Sequence, residues 1–544
     1  MEKKKTFLSK IQYIYILMAA MLGVYTYSMF TNRPWYDELY TYYYFISRGP
    51  VYAAIHWPVP NNHMGYSVLS AVIDKFGNSY LGLRGVSVIC SVISLFLIYR
   101  LAKKISGRNI LGLLGCFMGA YLTYSLAFQG RGYALTTTCL LVALNVIADI
   151  SLGDDKKRHY IAWIIALAWG LYSIPSSTYW VIPVCLTGGL YLLLTKQNKK
   201  LLRLIIASII AAFATFSMYS LVWLAIGSNL LSKDPGGTFF GMYQLDVIKS
   251  APFKAWLRGM QYMLDTPYIQ SIDRHDVITG LGGYFTGLFD QYYSYFAGYM
   301  GIFVLILCIF SVIAALTDII GMKLLKSNDV LDDGYLLSMI IVLAFGISLP
   351  LMLIIQSVNP YLRVFSFYPV IVGVMITYLT ERLMGTLRRF RKRDDRLYDH
   401  IQFGINTLIF IIAILATISF SFGLGKYKPT MLADRENDIY EALRQSDDQA
   451  KNIGNIYYTD DFQRFVLKFY YGIEPAESTM EEADYIMVSR SFIEGNEQEE
   501  WPMLVYYDSF DFEYLEKNFE RLTPENIKDG ADITQNRYIL YRRK

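Results

Sequence analysis

Residues 33–41 read R-P-W-Y-D-E-L-Y-T, with Tyr42, Tyr43, Tyr44 and Phe45 directly behind them. The stretch follows an apolar run of about 20 residues, enough to cross a bilayer as a helix. Two adjacent carboxylates, Asp37 and Glu38, therefore lie among aromatic side chains at a membrane edge. Apolar surroundings disfavour ionised carboxylates, so such a pair needs a partner or a task. In one reading Asp37 is a catalytic base and the chain builds a membrane-embedded site around it. In the other the two acids open a surface helix, where negative charge suits the helix dipole.

The surrounding composition belongs to a polytopic membrane protein. Of 544 residues, 54% are hydrophobic and only 18% charged, with a mean hydropathy of +0.30. Soluble proteins carry about a quarter charged residues. The net charge of +4 hides a split: from Phe422 onward there are 15 basic and 25 acidic residues, so the rest of the chain carries the basic excess. That excess lies in short connections and not on a soluble face, which excludes a nucleic-acid surface. Cys90, Cys116, Cys139, Cys185 and Cys308 all fall in apolar runs without a C-x-x-C pair, so neither a thiolate metal site nor a disulfide framework is expected. The leading M-E-K-K-K and the uninterrupted apolar run after it read as an uncleaved first span.

Eleven apolar runs are expected as spans: 11–30, 83–102, 110–128, 133–152, 160–174, 179–194, 201–226, 298–316, 336–355, 364–379 and 405–422. Lysine and arginine fall in every second connection, at Lys103 and Lys104, Lys156 to Arg158, Lys196 to Arg203, Lys323 and Lys326, and Arg388 to Arg393. The positive-inside rule puts these and the N-terminus in the cytoplasm. The outer side then receives the loop 31–80, the short turn 129–132, the loop 229–296 and everything from 423 onward.

The fold expected is an all-α polytopic membrane domain over 1–422, with a small extracytoplasmic α/β domain over 423–544. Within loop 31–80, residues 36–46 and 68–76 have helical spacing, joined by a turn with Pro58, Pro60, Asn61, Asn62 and His63. The loop 229–296, which contains Asp234 to Gly237, is rich in aromatics and reads as ordered packing on the membrane surface, with Asp273 to Asp276 as a solvated loop. In the tail, helices are expected at 434–444, 461–471 and 511–519, and strands at 455–458, 485–488, 503–507 and 538–541.

Charged residues at outer membrane edges are the candidates for chemistry. Besides Asp37 and Glu38 these are His63, Arg84, Arg131 and Arg363. Arg131 sits in Q-G-R-G-Y-A-L, where glycines on both sides let the backbone approach something closely. Arg363 sits in N-P-Y-L-R-V-F-S-F-Y-P. Arginine suits phosphate through two parallel hydrogen bonds, and two arginines beside two carboxylates would suit a lipid-phosphate leaving group next to a base. The alternative for each arginine is snorkelling to headgroups, which is the reading for Arg84. A divalent metal held by Glu38 and His63 is an alternative use of those two side chains.

The order of these features resembles the GT-C superfamily of membrane glycosyltransferases. It is similar to bacterial relatives of dolichyl-phosphate-mannose protein mannosyltransferases and of the lipid A aminoarabinose transferase. The carriers of the resemblance are W-Y-D-E-L-Y-T, then P-N-N-H-M-G-Y-S-V-L, L-R-G-V-S, Y-R-L-A-K-K-I-S-G, R-G-Y-A-L and the late R-V-F-S-F-Y-P, densest over 33–140. The resemblance implies transfer of a sugar from a polyprenyl-phosphate carrier to a glycan, lipid or protein acceptor at the outer face of the cytoplasmic membrane, with inversion. Asp37 would deprotonate the acceptor and Glu38 would orient it or help hold a metal. Arg131 and Arg363 would hold the carrier phosphate, and Asn62, His63 and Tyr133 would line the acceptor and donor loops. Many relatives carry Asp and His-Pro-Pro where this chain has Asn61 to Gly65, which weakens the metal alternative.

Two other classes compete: a transporter or flippase for a lipid-linked glycan, and a non-enzymatic envelope assembly protein. Transporters place charges near the bilayer midplane and repeat their halves. Here the spans are nearly free of acids and no repeat is visible.

Overall fold

Backbone amides left unpaired in hydrocarbon are costly, so each apolar run closes its hydrogen bonds within a helix. The structure, a computed structural model, describes residues 13–56, 61–234, 243–265, 269–325, 332–391, 395–423, 455–458, 461–472, 479–494, 510–523, 525 and 538–544. They divide into two compact units, one of Met1–Phe30 and Arg48–Pro429, the other of Thr31–Ser47 and Thr430–Lys544.

In chain order the helices begin with α1 (Tyr13–Thr31), α2 (Tyr36–Thr41, continued by a π-helical turn Tyr42–Ile46), α3 (Pro50–Ile55) and α4 (Met64–Asp74). Next come α5 (Ser79–Ile105), α6 (Ile110–Met118), α7 (Tyr121–Leu126), α8 (Tyr133–Ser151), α9 (Lys157–Ser173), α10 (Thr178–Leu194) and α11 (Asn198–Leu230). Then follow α12 (Gln244–Ser250), α13 (Pro252–Asp265), α14 (Arg274–Tyr293), α15 (Met300–Leu325), α16 (Asp333–Gln356), α17 (Tyr368–Arg391) and α18 (Asp395–Phe422). Among the described residues nine of these are long and apolar enough to cross a membrane: α1, α5, α8, α10 with its preceding turn, α11, α15, α16, α17 and α18.

Two expected spans take another form. The run 110–128 is broken into α6 and α7, because Gly119 and the extended Ala120 end one helix before the next begins. The hydroxyl of Tyr295 donates to the freed carbonyl of Gly119. The run 160–174 is α9, whose 17 residues open with Lys157, Arg158 and His159. A helix of that length rises about 26 Å, at the lower end of the lengths that cross a bilayer.

Within the first unit α8 is the hub: nine-tenths of its apolar window is buried, whereas α11 buries only 17% of its own and presents Ile205, Ile209 and Phe213 outward. Polar side chains tie the hub to its neighbour. Asn145 Nδ2 donates to the Leu97 carbonyl at 2.9 Å, and Lys104 Nζ pairs with Asp149 at 2.7 Å where α5 ends. Caps set the helix starts. Asn78 accepts the Leu81 N–H at 2.9 Å, and Asp273 accepts that of His275 at 2.7 Å. Asp273 to Asp276 is solvated as expected, but it is the cap and first turn of α14 and not a loop. In the 229–296 region α13 packs against α11 backbone to backbone: a side chain at Gly227 would strike the Ala255 carbonyl, and one at Gly259 the Trp223 carbonyl.

The second unit contains a four-stranded sheet in the order β1 (Ile456–Tyr458), β2 (Tyr485–Ser489), β4 (Tyr538–Arg543), β3 (Phe519–Arg521). β1 runs parallel to β2, and β4 is antiparallel to both its neighbours. Its helices are α19 (Asp461–Tyr471), α20 (Arg490–Glu494) and α21 (Phe512–Asn518). Strand alternation sends Ile456, Met487 and Leu540 to one face and Ile486 and Val488 to the other. The expected helix 434–444, the strand 503–507, Pro58, Pro60 and Pro235 to Gly237 lie outside the described residues.

Candidate active site

The turn between α7 and α8 is buried, with Gln129 and Arg131 at 1% and 3% exposure. A buried turn must satisfy its carbonyls, and the Ser87 hydroxyl on α5 donates to Gln129 O at 2.5 Å. Both flanking glycines are required by close approach. A Cβ on Gly130 would enter the Leu83 side chain, and one on Gly132 would stand 3.2 Å from both Cβ and Nδ1 of His63.

His63 precedes α4 and is 4% exposed. Its Nδ1 accepts the Gly132 N–H at 2.8 Å, so the neutral ring carries its proton on Nε2. That Nε2 lies 3.3 Å from Nη2 of Arg131. Two donors thus face one another, an arrangement that suits an anionic oxygen. Burial first, then the positive fields of Arg131 and Arg363, holds the His63 imidazole well below the usual histidine range. Arg131 is anchored from the side by Asn61, whose backbone carbonyl accepts from Nη1 at 3.2 Å and whose side-chain oxygen also accepts from Nη1. Arg363 stands on a short 3-10 turn, Leu362–Phe365, with its guanidinium 4.8 Å above the Tyr361 ring.

Two further expected residues frame this cluster. Tyr133, the first residue of α8, sets its ring edge-on to His63 at 5.2 Å and 86°. Asn62 is 1% exposed and spends its amide on the loop itself. Nδ2 donates to the carbonyls of Ala53 (3.0 Å) and His56 (2.5 Å), and Oδ1 accepts from Ser67 at 2.7 Å. It sets the loop that presents His63. Arg84 does not snorkel: it is fully buried and donates to the Met29 carbonyl at 2.8 Å, where α1 ends.

The acidic pair belongs to the second unit. Glu38 is fully buried, and its Oε2 accepts the Trp35 N–H at 3.2 Å, closing the first turn of α2. Asp37 is half-buried beside it, and its carbonyl takes the Thr41 hydroxyl at 2.7 Å. Both acids lie in the first turn of α2, and Glu38 fills the helix-start role with its side chain.

A divalent metal does not fit His63. Nδ1 is already bonded and Nε2 faces a guanidinium, which repels a cation. Among the described residues no three His, Cys, Asp or Glu side chains gather into a metal-binding group. Asn61, Ser87 and Gly132 were not among the expected site residues; the flanking glycines of R-G-Y-A-L were the signal, and the partners they approach are Leu83 and His63.

Residues 63–223 match the family model described as dolichyl-phosphate-mannose-protein mannosyltransferase. No curated protein matches the chain. Among solved structures the chain is similar to ArnT from Cupriavidus metallidurans bound to undecaprenyl phosphate, with TM-score 0.50 and 12% identity over 97% of each chain. It is also similar to the oligosaccharyltransferase AglB from Archaeoglobus fulgidus in complex with an inhibitory peptide and a dolichol-phosphate, with TM-score 0.47 and 10% identity over 88% of this chain and 70% of that one. The arabinosyltransferase EmbB from Mycobacterium smegmatis matches with TM-score 0.41 and 12% identity over 78% of this chain and 42% of that one.

Proposed function

The chain has the GT-C fold of membrane glycosyltransferases, and from that premise we propose that it transfers a sugar from a polyprenyl-phosphate carrier to an acceptor at the outer face of the cytoplasmic membrane. The observation that carries the reading is the donor-lined cluster of Arg131 and His63, with the field of Arg363 upon it. Such a cluster suits a phosphate at a membrane edge.

In the proposed step the Asp37 carboxylate takes the proton of an acceptor hydroxyl. The acceptor oxygen attacks the anomeric carbon as the bond from that carbon to the phosphate oxygen breaks. The electron pair leaves with the phosphate, whose charge Arg131 and Arg363 hold, and the anomeric centre inverts. Glu38 keeps the start of α2 in place beside the base. The acceptor is a glycan, a lipid or a protein.

The test is release of polyprenyl phosphate from synthetic polyprenyl-phosphate sugars by the purified protein, with an extract of the cell's own envelope as acceptor. Release that needs both acceptor and Asp37 supports the transferase. Asp37→Asn should lower it by about 10²–10⁴, the usual worth of a general base, while carrier binding persists. Bound carrier without release across several sugars would overturn the reading in favour of a flippase. The proposed topology has its own check: an impermeant thiol reagent should label Asp265→Cys from outside and leave Lys103→Cys untouched.

A further inference from the structure

The sheet of the second unit has two faces, and one is completed by residues from the far end of the chain. On that face Ile456, Met487, Tyr538 and Leu540 meet Phe465, Val466 and Leu467 of α19. Tyr36 and Leu39 of α2 are buried in the same core, Leu39 completely. Without α2 this apolar face would stand open to water.

The contacts are specific. The Phe465 ring stacks on Tyr43 at 5.1 Å and 19°, and meets Tyr36 and Tyr44 at 6.3 and 5.8 Å. Phe469 stands edge-on to Tyr42 at 5.4 Å. Arg33, ahead of the helix, lies 4.9 Å over the Tyr470 ring, and Lys468 lies 5.4 Å over Tyr43. The π-helical turn after α2 makes this pairing reachable. Its wider turn lets two successive rings, Tyr42 and Tyr43, both face α19. Asp37 therefore sits on a helix fixed at its start by the Glu38 hydrogen bond and at its end by the Phe465 stack.

We infer that the C-terminal domain is the mould in which the base-bearing helix is set, and that Phe465 is a positioning residue for Asp37. The inference rests on the assignment of Asp37 as the base. It gives the domain a task other than acceptor capture: it holds one carboxylate at the angle the chemistry needs.

The full-length protein is used for the test. Phe465→Ala and Tyr43→Ala should each lower kcat tenfold or more and leave the donor KM within twofold, since Arg131 and His63 belong to the other unit. Phe465→Leu and Tyr43→Phe should recover to within threefold of wild type. The double alanine variant should be no slower than the slower single one, as expected when both remove one shared contact. A second readout needs no activity. A thiol at Leu39→Cys should label slowly in the parent and at least tenfold faster with Phe465→Ala.

Phe510→Ala strikes the opposite face of the sheet and should change neither the labelling nor kcat by more than threefold. Equal effects from Phe510→Ala would mean loss of the whole domain and would overturn the positioning role. So would a kcat unchanged in Phe465→Ala, or labelling that does not rise. Full activity in Asp37→Asn with fast labelling in Phe465→Ala would instead sink the base assignment and leave the packing standing.

Discussion

The Gly132 N–H donates to Nδ1 of His63 at 2.8 Å, and this bond sets the electrical character of the cluster. With one ring nitrogen spent as acceptor, the other must point its proton at the guanidinium of Arg131, 3.3 Å away. Neither donor can satisfy the other. The arrangement turns two donors toward one point, set by a glycine amide four helices along the chain from the ring it orients.

Arg131→Lys should therefore weaken carrier binding about tenfold or more, roughly 1.5–3 kcal/mol for a lost charge-assisted bond. Lysine keeps the charge, but its compact ammonium lacks the spread planar fork with which the guanidinium reaches Asn61 on one side and an anion on the other. Binding of a polyprenyl phosphate, measured by calorimetry in detergent or nanodiscs, checks it. Wild-type affinity in Arg131→Lys would remove Arg131 from the phosphate site.

Gly132→Ala should destabilise the protein by about 1–3 kcal/mol through overpacking. The added methyl would meet His63 at 3.2 Å on two atoms, and the ring has the buried Tyr133 against it. Thermal unfolding of the purified variant should show the loss, together with weaker carrier binding. Gly49, where a Cβ would meet nothing within 4 Å, is no steric control, because its φ of +99° strains any other residue.

Stability should rise with pH in a window that His63 defines. Its folded-state pKa lies well below the unfolded value of about 6.5. Between the two, the unfolded chain binds a proton that the folded one refuses, so unfolding is favoured as pH falls. The contribution is fully present above about pH 6.5 and is lost progressively below it. Melting temperatures of wild type and His63→Gln from pH 4.5 to 8 should differ in slope only below about 6.5. Parallel curves would mean that His63 titrates normally.

Gly227→Ala should loosen the crossing of α11 and α13, because the new methyl would enter the Ala255 carbonyl. The cost should be about 1–3 kcal/mol, the range for forced backbone shifts. Faster proteolysis within 243–265 of the folded variant is the measurement. An unchanged cleavage rate would show that the crossing is not held by this contact.

Much of the membrane unit is legible from the residues because the signal is local. A run such as 83–102 announces its helix by composition, and Lys103 and Lys104 mark its end. The break at Gly119 is not legible, since the hydroxyl that takes up its freed carbonyl belongs to Tyr295, far along the chain. Arg84 looked like a headgroup anchor because it opens a span; its depth depends on the Met29 carbonyl of another helix. The same holds for the site. Arginine between two glycines advertised a close approach, but nothing local names His63 as what is approached. The partnership of residues 31–47 with the last strand and its helices spans nearly the whole sequence, so no local pattern carries it.

That partnership has a consequence for how the protein is made. Leu39 emerges from the ribosome early, whereas Ile456 and Leu540, which share its core, come at the end. About 420 residues separate Leu39 from Ile456, so at roughly 5–20 residues per second α2 waits on the order of 20–80 s for its first partner. During that interval the helix has no core to fold into. A chain truncated before residue 456 would lack the side chains against which Tyr36 and Leu39 pack. Burial of Leu39 thus waits on the last strand of the sheet to be made.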